Sequence, residues 1–116
     1  MSSRATTRDL SIKNMNLNRA YVYILSNKNR TVLYIGVTND LERRMAEHKN
    51  GIGSSFTKKY NAHELLFYEI HNDITQAITR EKQLKEWKRE WKMDLIKTMN
   101  IEMLDLAFDW DMSLEQ

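Results

Sequence analysis

The chain has 116 residues, no cysteine and no proline, with 18 Lys and Arg against 16 Asp and Glu. That length supports one domain with a modest core. The missing thiols exclude a disulfide framework and any thiolate metal site, and no apolar run approaches the roughly 18 residues a membrane helix needs. The charge is uneven: residues 101–116 carry five acids and no Lys or Arg, so the first hundred residues hold 18 bases against 11 acids. Such a balance suits a polyanionic partner, although a solvated mixed-charge surface explains it equally well. The opening residues lack the apolar core of a secretory signal, and the expected compartment is the cytoplasm.

Residues 1–18 are polar and without a period, which predicts a flexible leader ahead of a domain over 19–110. Ala20–Ser26 (AYVYILS) reads as a strand, Asn27–Arg30 as a turn, and Thr31–Thr38 (TVLYIGVT) as a second strand, together a β-hairpin. The period of two sends Tyr21 and Tyr23 to one face and Val22 and Ile24 to the other. Tyr34 and Gly36 also share a face, so Tyr23 and Tyr34 are expected to meet across the hairpin. Thr38, Asn39 and Asp40 offer oxygens to a helix start, with Asn39 and Glu42 spaced as a capping box. Leu41 and Met45 then mark a short apolar stripe, Arg44 and His48 share a face, and Gly51 stands where a C′ glycine ends the helix.

Ile52–Asn61 reads as a polar loop whose Lys58, Lys59 and Tyr60 suit contact with phosphates, although exposed lysines mostly meet water. Glu64–Ile70 is a third strand, with Leu65, Phe67 and Glu69 on one face and Leu66, Tyr68 and Ile70 on the other. A helical pattern runs from a cap at Asp73 to about Met99, with a break near Trp87–Glu90. Ile74, Ala77, Ile78, Leu84, Trp87 and Trp91 mark its apolar stripe. Asn100 ends it as a C-cap, Leu104, Leu106, Phe108 and Trp110 fold back on the body, and 111–116 form a frayed acidic tail.

Glu81 interrupts the long stripe at helical spacing from Ala77, Ile78 and Leu84. A carboxylate aimed at a core is costly unless it is paired or binds a metal. An i,i+4 pair with Lys85 is the plain alternative.

Tyr21-Val22-Tyr23, Tyr34-Ile35-Gly36, Leu41–Met45 with His48, and Arg80–Arg89 (REKQLKEWKR) together resemble the GIY-YIG nuclease family. The resemblance is closest to its small stand-alone, single-domain branch and covers about residues 19–107. The family also includes the N-terminal nuclease domain of the bacterial excision-repair incision subunit and certain phage homing endonucleases. A lone YIG is a weak sign, and either tyrosine alone is more often a packing residue. Two tyrosine motifs, an Arg with His four later, and a Glu on a later helix are specific in combination.

The resemblance implies an α+β fold, a three-stranded antiparallel sheet flanked by helices, and a metal-dependent DNA endonuclease. Its site residues fall on Tyr23, Tyr34, Arg44, His48, Glu81 and Asn100. Glu81 would hold one Mg2+ or Mn2+, Arg44 would stabilise charge at phosphorus, and Tyr23 would activate water with Tyr34 and His48 assisting. Lys58, Lys59, Tyr60 and Lys85 would contact the nucleic acid, which is branched or single-stranded DNA, with DNA repair as the suggested setting and a monomer as the expected state. The chain departs from the family pattern at two points. Tyr21 stands at the first motif's glycine, and Asn100-Ile101-Glu102-Met103 replaces the branch's frequent Asn-Pro-Glu-Trp. A tyrosine base implies an alkaline pH optimum unless His48 shares its task. The alternative function is a binding module on the same fold with little turnover.

Overall fold

The structure, a computed structural model, describes residues 19–110; the expected leader and acidic tail lie outside the described residues. Three strands and four helices follow one another among the described residues: β1 (Ala20–Ser26), β2 (Leu33–Thr38), α1 (Leu41–Lys49), α2 (Ser55–Tyr60), β3 (Glu64–His71), α3 (Ile74–Glu86) and α4 (Arg89–Lys97). The sheet is antiparallel with order β2-β1-β3, so the fold is α+β with the first strand at its centre. None of the described helices is long and apolar enough to cross a membrane.

The hairpin forms where the turn residues lie. Asn27 Oδ1 accepts from Thr31 N at 2.8 Å and Val32 N at 3.2 Å, closing the loop between Ser26 and Leu33. Register pairs Tyr23 with Gly36 and Leu25 with Tyr34. Tyr23 and Tyr34 are therefore diagonal neighbours, not the opposed pair expected.

The sheet buries both faces. On one, Val22, Ile24, Ile35 and Phe67 pack with Ala77 and Leu84 of α3 and Ile96 of α4. On the other, Tyr23, Leu25 and Leu65 pack with Leu41 and Met45 of α1 and Ala107 of the C-terminal segment. Each Val, Leu, Ile, Phe or Met so buried contributes about 1.5–3 kcal/mol. A bulge at Ile24/Leu25 pairs Ile24 with Phe67 and Leu25 with Leu65, leaving Leu66 as the extra residue. Leu65 therefore serves the face opposite Phe67, and Leu66 joins Phe67. The strict alternation read for this strand fails at that point.

Several boundaries differ from expectation. Asp40, not Asn39, caps α1, its Oδ1 accepting from Arg43 N at 3.2 Å. Gly51 does end it, at φ +79°, with Gly51 N bonded to His48 O and Ile52 N to Glu47 O. Residues 55–60 are a helix, not a loop. Ser54 caps it by accepting from Thr57 N at 3.2 Å, and Asn61 closes it in the left-handed region at φ 56°. The long helix breaks at Trp87 and Lys88, both extended at ψ near 150°. Ile74, Ile78 and Trp91 face solvent, so the buried stripe of α3 is narrower than expected. The C-terminal segment packs back through Leu106, Ala107 and Trp110, whereas Leu104 and Phe108 point outward, Phe108 at 86 % exposure. Helix α4 ends at a Thr98 cap, ahead of Asn100.

Candidate active site

Strand β1 delivers Tyr23 to the α1 side of the sheet, fully buried. Its ring lies over Gly36, where an added Cβ would stand 2.5 Å from both Tyr23 Cζ and the phenol oxygen. The second motif ends in glycine because no side chain fits beneath that ring. Tyr34, half-buried, has its ring centroid 6.4 Å from that of Tyr23. One helix away, His48 on the inner face of α1 brings its ring centroid to 6.0 Å from both tyrosines.

A directed chain of hydrogen bonds joins these groups. The Tyr23 phenol and His48 Nε2 are 3.3 Å apart, and His48 Nδ1 and Thr57 Oγ1 are 3.1 Å apart. The Thr57 hydroxyl donates its single proton to Ser54 O at 3.0 Å. With that proton on Ser54 O, Thr57 Oγ1 accepts from His48, in the tautomer that carries the imidazole proton on Nδ1 and turns the Nε2 lone pair to the Tyr23 O–H. Gly53 permits the approach: a Cβ there would sit 2.1 Å from His48 Nδ1 and 2.7 Å from Thr57 Oγ1.

Electrostatics keep both ends neutral. Burial pushes the Tyr23 phenol up to about 12, with the Arg44 guanidinium pulling the other way. Burial also lowers His48 to about 4, and the charges of Arg44 and His63 add to the fall. Burial thus raises the tyrosine's pKa rather than lowering it, which favours the alternative in which His48 shares the task. Arg44 is held on its helix by Glu47, Nε to Oε1 at 3.2 Å, while Arg43 takes the other oxygen at 3.3 Å.

Glu81 comes from α3 on the opposite face, and its carboxylate lies within electrostatic reach of the Tyr23 phenol. Its side chain is 18 % exposed and pairs with Lys85 Nζ at 3.0 Å. Neighbouring Arg80 fixes the helix to β3: its guanidinium binds both oxygens of Glu69, with the shortest contact at 2.8 Å, and lies over the Trp87 ring. Burial works to raise the Glu69 pKa, but hydrogen bonds from Arg80 and His71 outweigh it and hold the carboxyl below its ordinary value.

Asn100 stands apart from this cluster in its bonding. Its Nδ2 donates to Leu66 O at 3.1 Å and Leu104 O at 2.6 Å, and its Oδ1 accepts from Leu104 N at 3.1 Å. Lys58, Lys59 and Tyr60 are exposed on α2, with Lys59 Nζ 5.3 Å from the centroid of the Tyr60 ring. Sequence reasoning missed Gly53, Ser54 and Thr57; the spacing Gly-Ser-x-x-Thr five residues after His48 was the available signal.

A profile described as the GIY-YIG catalytic domain matches residues 19–94. The chain belongs to the GIY-YIG family. Relatives include the UPF0213 protein of Clostridium perfringens, 37 % identical over 70 % of this chain and 86 % of that protein. The UPF0213 protein of Staphylococcus saprophyticus is 32 % identical over 69 % of this chain and 96 % of its own length. A solution NMR structure of a UPF0213 protein from Bacillus halodurans matches 71 % of this chain and 86 % of that one, at 28 % identity and a TM-score of 0.46. The two UPF0213 relatives are small GIY-YIG-type proteins, the stand-alone branch that the motifs indicated.

GIY-YIG domains are in general endonuclease domains, acting on nucleic acid with a divalent metal ion. The donors present fit such an ion. Among the described residues no three His, Cys, Asp or Glu side chains cluster as a cage, and both His48 nitrogens are engaged. The Glu81 carboxylate, the ligand to which the motif resemblance points, is a hard oxygen donor of the kind accepted by a divalent ion that keeps most of its waters.

Proposed function

We propose that this protein is a metal-dependent endonuclease hydrolysing phosphodiester bonds in DNA, with weak sequence specificity and a preference for branched or single-stranded structure. The observation that carries the proposal is the directed chain from the Tyr23 phenol to His48 Nε2, locked by Thr57. It supports general-base catalysis without a resident tyrosinate. An attacking water gives its proton to the Tyr23 oxygen as the phenol's own proton passes to the His48 Nε2 lone pair. Tyr34 orients the water. Arg44 donates to the non-bridging oxygens as charge builds on them. Glu81, once free of Lys85, would hold Mg2+ or Mn2+, and the ion would supply Lewis-acid stabilisation and assistance to the leaving oxygen. Lys58, Lys59 and Tyr60 meet the strand, Lys85 joins them once released, and Asn100 keeps the scaffold behind β3 in place.

A second reading, a binding module with little turnover, is favoured by two features: Tyr23 is fully buried and Glu81 is paired with Lys85. The test is cleavage of labelled branched, flapped and single-stranded DNA with Mg2+ or Mn2+, alongside Arg44→Ala and Glu81→Ala. Metal-dependent cutting lost in both variants is the expected result. Binding without cutting, unchanged by either substitution, would give the site to the module.

A further inference from the structure

Two large aromatic side chains on α2 lie outside any core. Phe56 is 39 % exposed and Tyr60 is 41 % exposed. They are continuous with the site. The Phe56 ring lies 5.7 Å from Tyr34 at an interplanar angle of 29°, a stacked arrangement, and Tyr60 lies 4.8 Å beyond it. Tyr34 in turn neighbours Tyr23 and His48. A ladder of rings thus runs from the buried phenol to the surface. Lys58 and Lys59 flank its outer end, and residues 52–61 contain no acid. The same short helix turns Thr57 inward to hold His48.

Burial does not explain the outer rings, because water already covers much of them. A protein partner would be expected to meet a broader apolar surface than two rings bordered by lysines. Flat π faces with cations alongside match a nucleic-acid strand, whose bases stack while its phosphates meet the lysines.

We infer that Phe56, extended by Tyr60, is a stacking platform for one nucleobase beside the scissile phosphate. The inference rests on the nuclease proposal for the position of that phosphate. A base inside a duplex has both faces covered by its neighbours, so the platform takes a base at an end, a flap or a gap. Because Phe56 and Thr57 are adjacent in the chain, a base seated outside braces the helix that fixes the His48 proton inside. Phe56 is accordingly a specificity and positioning residue, and it stands outside the motif residues named above.

The test uses the full chain in EDTA, so that binding is read without cleavage. Flapped and single-stranded oligonucleotides carry 2-aminopurine moved one position at a time, and the platform predicts a fluorescence change confined to one or two positions. Phe56→Ala removes that change and weakens binding roughly 5- to 150-fold. Phe56→Trp restores both. An abasic site at the responsive position abolishes the difference between Phe56→Ala and the parent. Quenching that follows Phe56 in the absence of cleavage under any metal would sustain the platform and overturn the nuclease proposal. Cleavage that proceeds with no responsive position, or equally well in Phe56→Ala, would overturn the platform and leave the nuclease standing. Self-association lost in Phe56→Ala, with no quenching, would assign the rings to a second copy of the chain and also overturn it.

Discussion

A phenol with a pKa near 12 is ionised to roughly one part in 10^5 at neutral pH, so a resident tyrosinate would make the rate climb with pH. The relay through His48 behaves otherwise. It needs only a neutral imidazole, which persists down to about pH 4. The expected rate is therefore flat between pH 6 and 9 and falls as pH drops toward 4; a log-linear rise through that plateau would restore the tyrosinate. Stability follows the same group. The folded His48 takes up its proton well below 6.5, the unfolded one near it, so the unfolded chain binds more protons between those values. Stability should fall as pH drops from about 6.5 to 4, read as Tm, and His48→Gln should flatten that limb. Thr57→Val unlocks the imidazole tautomer and leaves a buried N–H unsatisfied, which costs about 1–3 kcal/mol and should cut kcat more than KM. Gly36→Ala drives a methyl into the Tyr23 phenol and should cost a similar ~1–3 kcal/mol in chemical denaturation along with activity. Tyr23, Tyr34, Arg44, His48 and Glu81 could be picked out in the sequence because their spacing is a pattern of the family. Thr57 and Gly53 could not, because their importance lies in where one imidazole comes to rest.

At the scale of elements, the hairpin, the third strand and the three longer helices were legible from periodicity. Helix α2 was not: six residues with one buried position leave no repeat to detect, although Ser54 and Asn61 bracketed it. The bulge in β3 was hidden for a related reason, since a one-residue offset inverts a face without changing composition. Capping chemistry offers a sharp test between neighbours. Asp40→Ala should cost about 1 kcal/mol and Asn39→Ala almost nothing in thermal unfolding. A stronger tie lies behind α1. Asp105 pairs with Lys49 through one oxygen, and through the other accepts from Leu65 N and Ala107 N, both at 3.0 Å. It joins α1, β3 and the C-terminal segment, so Asp105→Ala should cost roughly 2–4 kcal/mol by urea titration.

For the molecule as a whole, the charge distribution predicts contact with few phosphates and hence weak, salt-sensitive binding. Glu81→Ala should abolish metal-dependent cleavage and leave DNA affinity in EDTA within about twofold, as expected for the loss of one carboxylate whose partner Lys85 is itself largely exposed; loss of affinity would mean that the carboxylate organises the binding face. The central position of β1 carries a different consequence, one of timing. As the chain leaves the ribosome, β1 can zip to β2 at once, and Tyr23 and Tyr34 are neighbours early. The other edge of β1 stays open until His71 is made, and Glu81 arrives after that. On the mechanism proposed, the nascent protein therefore carries Tyr23 and His48 before it carries Glu81, and a fragment released before His71 leaves one edge of β1 open.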